Sequence, residues 1–479
     1  MVFNQSLYKN NSKLLLQLAL LVLSVTTGAI VALFTIKKSL VLLGVIIGLL
    51  LLFISITNYR LGFTIAVASS FSVFIVSRFF MDSFPIGWIV ESFVYASFLG
   101  LLANCLIHGK SLIEPLYHPI SIVFLIYLLF LLWQAFNPSM YSIVGWVHFF
   151  RRQLMIFLVY ILVVHYIQKE ADIKRLIKIW LFFTVLSAIY AITSQLIGLP
   201  DFEDQWVLAS KNRENLYYLV DGFKRKYSLY SDPAAFGMDM AATVLLLVIL
   251  FFYTENKTYK YLIIGLSVVC LLGAIYSGTR TAYLMILVGV LLFLLMRGIN
   301  RTTLFVGGIS FVGLIGVLKI PIYNNLFINR IRSAFYLSQD ASLKVRNINR
   351  ARIQPYIHEH PIGGGTYTSG GQGLEYNPDH ILAGFPPDSG YLRAALETGW
   401  IGLALLLFFH FIILKSGIYS YFEQSGKWMK GIVIASTACL FSYVIANYGQ
   451  EAFGQIPSCF FICICIGIIV KSKKLKIIS

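Results

Sequence analysis

His360-Pro361-Ile362-Gly363-Gly364-Gly365, then Pro386-Pro387-Asp388-Ser389-Gly390-Tyr391-Leu392-Arg393, then Glu397-Thr398-Gly399-Trp400-Ile401-Gly402: these runs share the long polar interval 320–400 of a chain that otherwise reads as membrane. The last run passes straight into another apolar segment. A polar stretch this long between apolar segments is either functional or disordered, and its glycines, aromatics and basic cluster argue against disorder. The interval reads as a cap over a cavity at one face of a helix bundle, with the rest of the chain building the floor.

Outward from this interval the composition is that of a lipid-embedded chain. Of 479 residues, 58% are hydrophobic and only 12% charged, where a soluble domain carries about a quarter charged. Mean hydropathy is +0.78. Apolar runs near the ~20 residues needed to cross a bilayer recur throughout. About fourteen are expected, at 14–36, 40–57, 61–80, 86–107, 120–136, 153–167, 177–198, 234–253, 260–276, 281–296, 303–319, 399–414, 431–447 and 456–470. The first is read as an uncleaved span, being longer than a signal-peptide core. The domain reading is therefore 1–319 as transmembrane helices with a smaller outer loop at 199–233, 320–398 as the large outer loop, and 399–479 as closing spans with a basic tail. All six cysteines lie inside apolar runs and read as small buried hydrophobes.

The net charge of +17 does not call for nucleic acid, because most basic residues sit in short loops. With both termini inside, the inner loops carry Arg60, Lys110, Lys174 and Arg175, Lys257 and Lys260, Arg297 and Arg301, Lys415 to Lys430 and the tail Lys471 to Lys476. That is the positive-inside pattern. The exceptions are informative. Arg151 and Arg152 fall at the outer mouth of the sixth span, Lys224, Arg225 and Lys226 just before the eighth, and Arg280 at the start of the tenth. Arg330, Arg332, Lys344, Arg346, Arg350, Arg352 and Arg393 fall in the large loop. Orientation does not explain outer arginines. A guanidinium offers a planar fork of donors matched to phosphate oxygens, and helix N-termini at the same face add free N–H groups. Ser231-Asp232-Pro233 has the form of a helix start. A diphosphate pocket at headgroup level is expected.

These residues carry a resemblance to the bacterial O-antigen polymerase and O-antigen ligase superfamily of polytopic glycosyltransferases. Arg225-Lys226-Tyr227-Ser228-Leu229-Tyr230-Ser231-Asp232-Pro233 resembles the family's Arg-containing stretch ending in Asn-Pro before a span, with Asp232 in place of Asn. Ser277-Gly278-Thr279-Arg280 resembles its Ser-x-Ser-Arg turn. His360 to Gly365, with Asp388 to Gly402, resembles its His-Pro-x-Gly-x-Gly loop and closing Glu-x-Gly-x-x-Gly helix start. The likeness covers roughly 140–470. Ligases of the family carry a His-Asn pair just before the closing motif; here that place reads Asp388-Ser389, which shifts weight toward polymerases. The resemblance implies an all-α, GT-C-like polytopic bundle of about 12–14 spans with a large, mostly helical periplasmic loop, in a bacterial inner membrane with both termini cytoplasmic.

It also implies a glycan donor on undecaprenyl diphosphate, a glycan hydroxyl as acceptor, surrounding membrane lipids, and a glycan flippase and a chain-length regulator as partners. The departing diphosphate must be stabilised. With no outer Asp-x-Asp pair, arginines are expected to do this with neither metal nor cofactor. Arg225 and Arg280 come first, with Arg151, Arg152, Lys226, Arg346, Arg393, His360 and Tyr391 expected to bind substrate. Asp388 is the expected base for the acceptor hydroxyl, with His358, His360 and His380 as alternatives. Glu397 is expected to pair with Arg393, four residues earlier on a helix. A ligase remains the second reading. A transporter of the same lipid-linked glycan is the third; transporters tend to show internal repeats and midplane charges, whereas these charges gather at one face.

Overall fold

A computed structural model describes residues 36–82, 86–219, 222–301, 325–335 and 341–478, with isolated helical positions at 28 and within 307–319. The expected spans 14–36 and 303–319 lie wholly or largely outside the described residues. The chain is all-α. In order it forms α1 (Ile36–Thr57), α2 (Tyr59–Phe79), α3 (Ile86–His108), α4 (Pro119–Trp133), α5 (Ile143–Tyr166), α6 (Glu170–Ile197), α7 (Asp201–Leu208), α8 (Lys211–Tyr217) and α9 (Pro233–Tyr253). It continues with α10 (Lys257–Ser277), α11 (Arg280–Arg297), α12 (Leu326–Ser333), α13 (Ala341–Glu359), α14 (Gly370–Tyr376), α15 (Gly390–Glu423), α16 (Lys427–Ala446) and α17 (Ser458–Ile478).

Among the described residues, ten helices are long and apolar enough to cross a membrane. They are α2 to α6, α9 to α11, α15 and α16. Within α1, residues 41–57 are apolar but shorter; α17 is buried over 459–470 and ends in lysines. The most apolar window of α9 is 83% buried and that of α16 is 78%, against 17% for α10, so α9 and α16 form the centre and α10 the rim. α9 packs on α10, α11 and α16, and α17 fills the space between α5, α15 and α16. Lipid is as apolar as leucine, so close packing and satisfied polar groups, not hydrophobic burial, hold such helices together.

The helix directions give the bundle two unlike ends. The starts of α5, α9, α11 and α15 and the ends of α4, α6, α10 and α16 meet α12 to α14 and the 198–232 segment at one end. The basic inner loops read from the sequence all fall at the other.

Two of the span boundaries that differ from expectation bear on the site. The sixth span was expected from 153, yet α5 begins at Ile143, so Arg151 and Arg152 sit within the helix rather than at its N-terminus. The twelfth was expected from 399, yet α15 begins at Gly390. There Ser389 caps it, its Oγ accepting from the N–H groups of Tyr391 (3.2 Å) and Leu392 (3.3 Å).

The span start expected at Gly399 is instead a kink inside α15, with φ 69° and ψ −177°, a region essentially closed to other residues. The kink receives the Pro361–Gly365 turn. Ile401 N–H donates to the Pro361 carbonyl (3.3 Å), Gly364 N–H to that of Leu396 (2.9 Å) and Gly365 N–H to that of Glu397 (2.9 Å). A Cβ on Gly399 would lie 2.0 Å from the Pro361 oxygen, and one on Gly363 2.4 Å from the Gly399 nitrogen. The two glycines are therefore halves of one joint. Gly399→Ala is expected to cost more than about 1 kcal/mol of stability and to open the lid, read as a lower melting temperature in detergent and faster protease cleavage within 360–385; unchanged values would contradict the joint.

Candidate active site

Beneath the lid lies a cavity of about 860 Å³, the size of a small-molecule site. Its walls come from α3 and α5, the segment leading into α9, α13, the lid around α14, the start of α15 and the 450–456 hook. Five arginines line it, Arg151, Arg152, Arg225, Arg346 and Arg393, with five acids, Glu91, Asp232, Glu375, Asp388 and Glu451. Counted naively, the cavity is neutral. What matters is how the charges are committed.

Three arginines come with acids. Arg151 Nε lies 2.7 Å from Glu91 Oε2, its guanidinium 4.0 Å above the Trp88 ring. Arg393 Nη1 lies 2.7 Å from Glu451 Oε2, and its Nε 3.4 Å from Glu397, the expected helical pair. Arg346 Nε is 4.0 Å from Asp388 Oδ1. Asp232 is spent on the start of α9, where Oδ1 accepts from the N–H groups of Ala234 (2.8 Å) and Ala235 (3.0 Å). That helix start, expected to offer free N–H groups to an anion, is occupied by its own cap. α5 withdraws as well, because its arginines are not at its start.

Two guanidiniums remain without an acid partner among the described residues. Arg152 donates through Nε (3.0 Å) and Nη2 to the Gly454 carbonyl. Arg225 donates to the carbonyls of Ser277 (3.1 Å) and Leu216 (3.4 Å) and to Thr279 Oγ1 (3.2 Å). Burial, followed by neighbouring Arg330, pulls Arg225 down from the ordinary arginine value to about 10. Its charge is thus under-compensated by the protein, a condition that a bound anion relieves.

The Ser277–Arg280 turn is the seat of Arg225. Thr279 Oγ1 receives Arg225 and donates to the Pro233 carbonyl (2.8 Å), so the two basic motifs meet at one end of the bundle. Arg280 opens α11 directly after this turn but does not line the cavity. Three other expected ligands are also elsewhere. Lys226 turns inward to the Ser194 carbonyl (3.0 Å), where burial and then Lys224 lower its pKa. His360 stacks on Tyr356 at 4.0 Å, with Nδ1 2.9 Å from that residue's carbonyl. The Tyr391 hydroxyl donates to the Val444 carbonyl (2.7 Å) inside the bundle. Asp388, Arg151, Arg152, Arg225, Arg346 and Arg393 do come together.

Several residues were not singled out in the sequence. Arg78 is 2% exposed and paired with Glu203 at 2.7 Å. It donates to the carbonyls of Ser228 (2.6 Å) and Tyr230 and so pins the basic segment. Glu451 and Gln455 reach in from the 450–456 hook, and Glu91 from the first turns of α3. His148 lies one turn before Arg151 and Arg152 on α5; extending that helix upstream would have found it.

The lid is held by Glu397, 1% exposed. Its carboxylate accepts from Tyr367 N–H (3.0 Å), Ser369 N–H (3.4 Å) and Ser369 Oγ (2.5 Å). Beside the main cavity, a narrower space of about 140 Å³, lined by Phe124, Ile156, Leu406, Phe409 and Phe453, shares Arg152 and Arg393 with it. No three His, Cys, Asp or Glu side chains come together as a metal site among the described residues.

Residues 265–407 match the family model for O-antigen ligase. The matched segment runs from α10 through the lid into α15, covering the second and third motifs. It supports the O-antigen ligase and polymerase superfamily. No curated protein matches the chain.

Glu397→Ala would leave the lid's buried N–H groups unpaired, at about 1–3 kcal/mol for each group. It is expected to lower the unfolding midpoint in detergent by several degrees and to cut activity through the lid; an unchanged midpoint would contradict the clamp.

Proposed function

We propose that this membrane glycosyltransferase of the O-antigen ligase and polymerase type takes its glycan from a polyprenyl diphosphate lipid. The observation that carries the reading is the pair of guanidiniums left without acids, Arg152 from α5 and Arg225 from the segment before α9, on one lid-covered cavity. Transfer breaks the bond between the sugar's anomeric carbon and the diphosphate, and negative charge grows on the departing oxygens. Fixed donors in a site shielded from water stabilise that charge where it develops. A guanidinium fork suits phosphate oxygens without a metal. The 140 Å³ apolar space beside Arg152 suits the first carbons of the lipid, and the larger cavity has room for sugars.

In this scheme Arg225 and Arg152 hold the diphosphate, and the turn ending in Arg280 fixes Arg225. Asp388 with Arg346 forms the lid side of the acceptor space. Arg393 holds Glu397 and Glu451 in place. The bundle lies in a bacterial inner membrane with its basic end cytoplasmic, so the lid faces the periplasm. Polymerisation of undecaprenyl-diphosphate-linked repeat units is the activity we favour, because Asp388-Ser389 stands where ligases carry His-Asn. Transfer to a lipid A-core or protein acceptor is the second reading, favoured by the description of the matching family. A flippase and a chain-length regulator would be its partners in the membrane.

Purified protein given a lipid-linked oligosaccharide is expected to lengthen it. Arg225→Ala and Arg152→Ala should each lower kcat by about 10²-fold or more, with folded protein retained. Wild-type turnover in both would overturn the diphosphate site. Activity is expected to persist in excess chelator; a loss restored by magnesium would contradict arginine-only stabilisation.

A further inference from the structure

We infer that His148 takes the acceptor hydroxyl's proton and that the acceptor sugar lies against the wall that carries it. The inference rests on the diphosphate site above and deepens it. The protein has eight histidines. Six put a ring nitrogen on a backbone group or a tyrosine hydroxyl, and His358 stands exposed on α13, away from the cavity. His148 alone among them lines the cavity, and neither of its ring nitrogens has a hydrogen-bond partner among the described residues.

Its ring is held by its face, which leaves the edge with both nitrogens open. His148 stacks on Tyr376 at 5.1 Å and 25°, and Tyr376 stacks on Tyr367 at 5.9 Å and 11°. The helix below is fixed too. A Cβ on Gly145, one turn earlier, would lie 3.0 Å from the Tyr376 Cβ, so α5 is pressed directly against the lid. A polar edge beside stacked rings, with Gln372 and Glu375 on the same wall, is a surface for a sugar's hydroxyls and its apolar face.

Spacing supplies the remaining argument. His148 and Arg152 are four residues apart on one helix, so their side chains leave the same face about one turn, or ~5–6 Å, from each other. The nucleophile and the leaving oxygen stand on opposite sides of the anomeric carbon, a few ångströms apart. One face of α5 thus carries a proton acceptor and a diphosphate ligand from neighbouring turns, both on the cavity where the displacement would take place. Four of the five cavity carboxylates are committed, Glu91 to Arg151, Asp232 to the start of α9, Asp388 to Arg346 and Glu451 to Arg393; the fifth, Glu375, is carried by the lid and not by the helix that carries Arg152. In the step itself, the acceptor oxygen bonds to the anomeric carbon and the bond from that carbon to the diphosphate oxygen breaks. Its electron pair leaves with the diphosphate, and the hydroxyl proton passes to the imidazole. The imidazolium then releases that proton to water.

The test is His148→Gln in the purified full chain with a lipid-linked oligosaccharide. The kcat is expected to fall by about 10²-fold or more with the donor KM unchanged. The acid limb of the wild-type kcat/KM profile should vanish in His148→Gln and persist in Asp388→Asn. Around this ring stand Arg151 with Glu91, Arg152 and Glu375, and Tyr376 backed by Tyr367 covers its face. Turnover at the wild-type rate, or slow turnover with the acid limb intact, would overturn the assignment. Should the Gln variant fail to fold, His148→Ala with added imidazole replaces it, and rescue is the expected result; a folded variant that imidazole does not restore counts against the proposal. Normal turnover in His148→Gln alongside a dead Arg225→Ala would retire only this inference, whereas normal turnover in both would retire the diphosphate site.

Discussion

One interlock governs this protein: a two-glycine joint between the lid and a membrane helix. The α15 kink exists because Gly399 adopts a backbone conformation closed to other residues, and the Pro361–Gly365 turn fits there because Gly363 has no side chain to collide. Glu397, two residues before the kink, takes the lid's N–H groups and faces Arg393. One short stretch of helix therefore fastens the roof and sets one wall of the cavity. A lid held by backbone hydrogen bonds at a fixed kink is rigid enough to define the space beneath it.

The second constraint is the commitment of charge. A cavity with as many acids as arginines has no net pull on an anion. Its specificity comes from which charges the protein neutralises itself. Acids face Arg151, Arg346 and Arg393, and these arginines shape the walls. Arg152 and Arg225 are held by neutral oxygens, with no acid in ion-pair contact among the described residues, so their directions are set; Glu451 lies near enough to act on Arg152, and Arg225 is the less compensated of the two. Preorganisation with charge left incompletely compensated is what stabilising a developing diphosphate requires.

Much of this was legible in the chain. The all-α membrane architecture follows from apolar runs, and the lid from its glycines and polar length. The pairing of Glu397 with Arg393 follows from helical spacing, and the start of α9 from Ser231-Asp232-Pro233. What sequence could not give is three-dimensional commitment. Lys226, Tyr391 and His360 are chemically apt for a diphosphate or sugar, but the fold spends them on carbonyls and a ring within the scaffold. Arg280 proved to follow the turn that seats Arg225 instead of lining the cavity. Glu91 and Glu451 were invisible because their partners lie 60 and 58 residues away along the chain. His148 was missed because α5 was started ten residues too late.

The most direct measurement of the central claim is binding, separated from turnover. Titrating purified protein with a polyprenyl diphosphate by calorimetry should show saturable binding that weakens at least about tenfold, or 1.4 kcal/mol, in Arg152→Ala and in Arg225→Ala, with little change in Lys226→Ala. Equal affinity across wild type and both arginine variants would contradict the account.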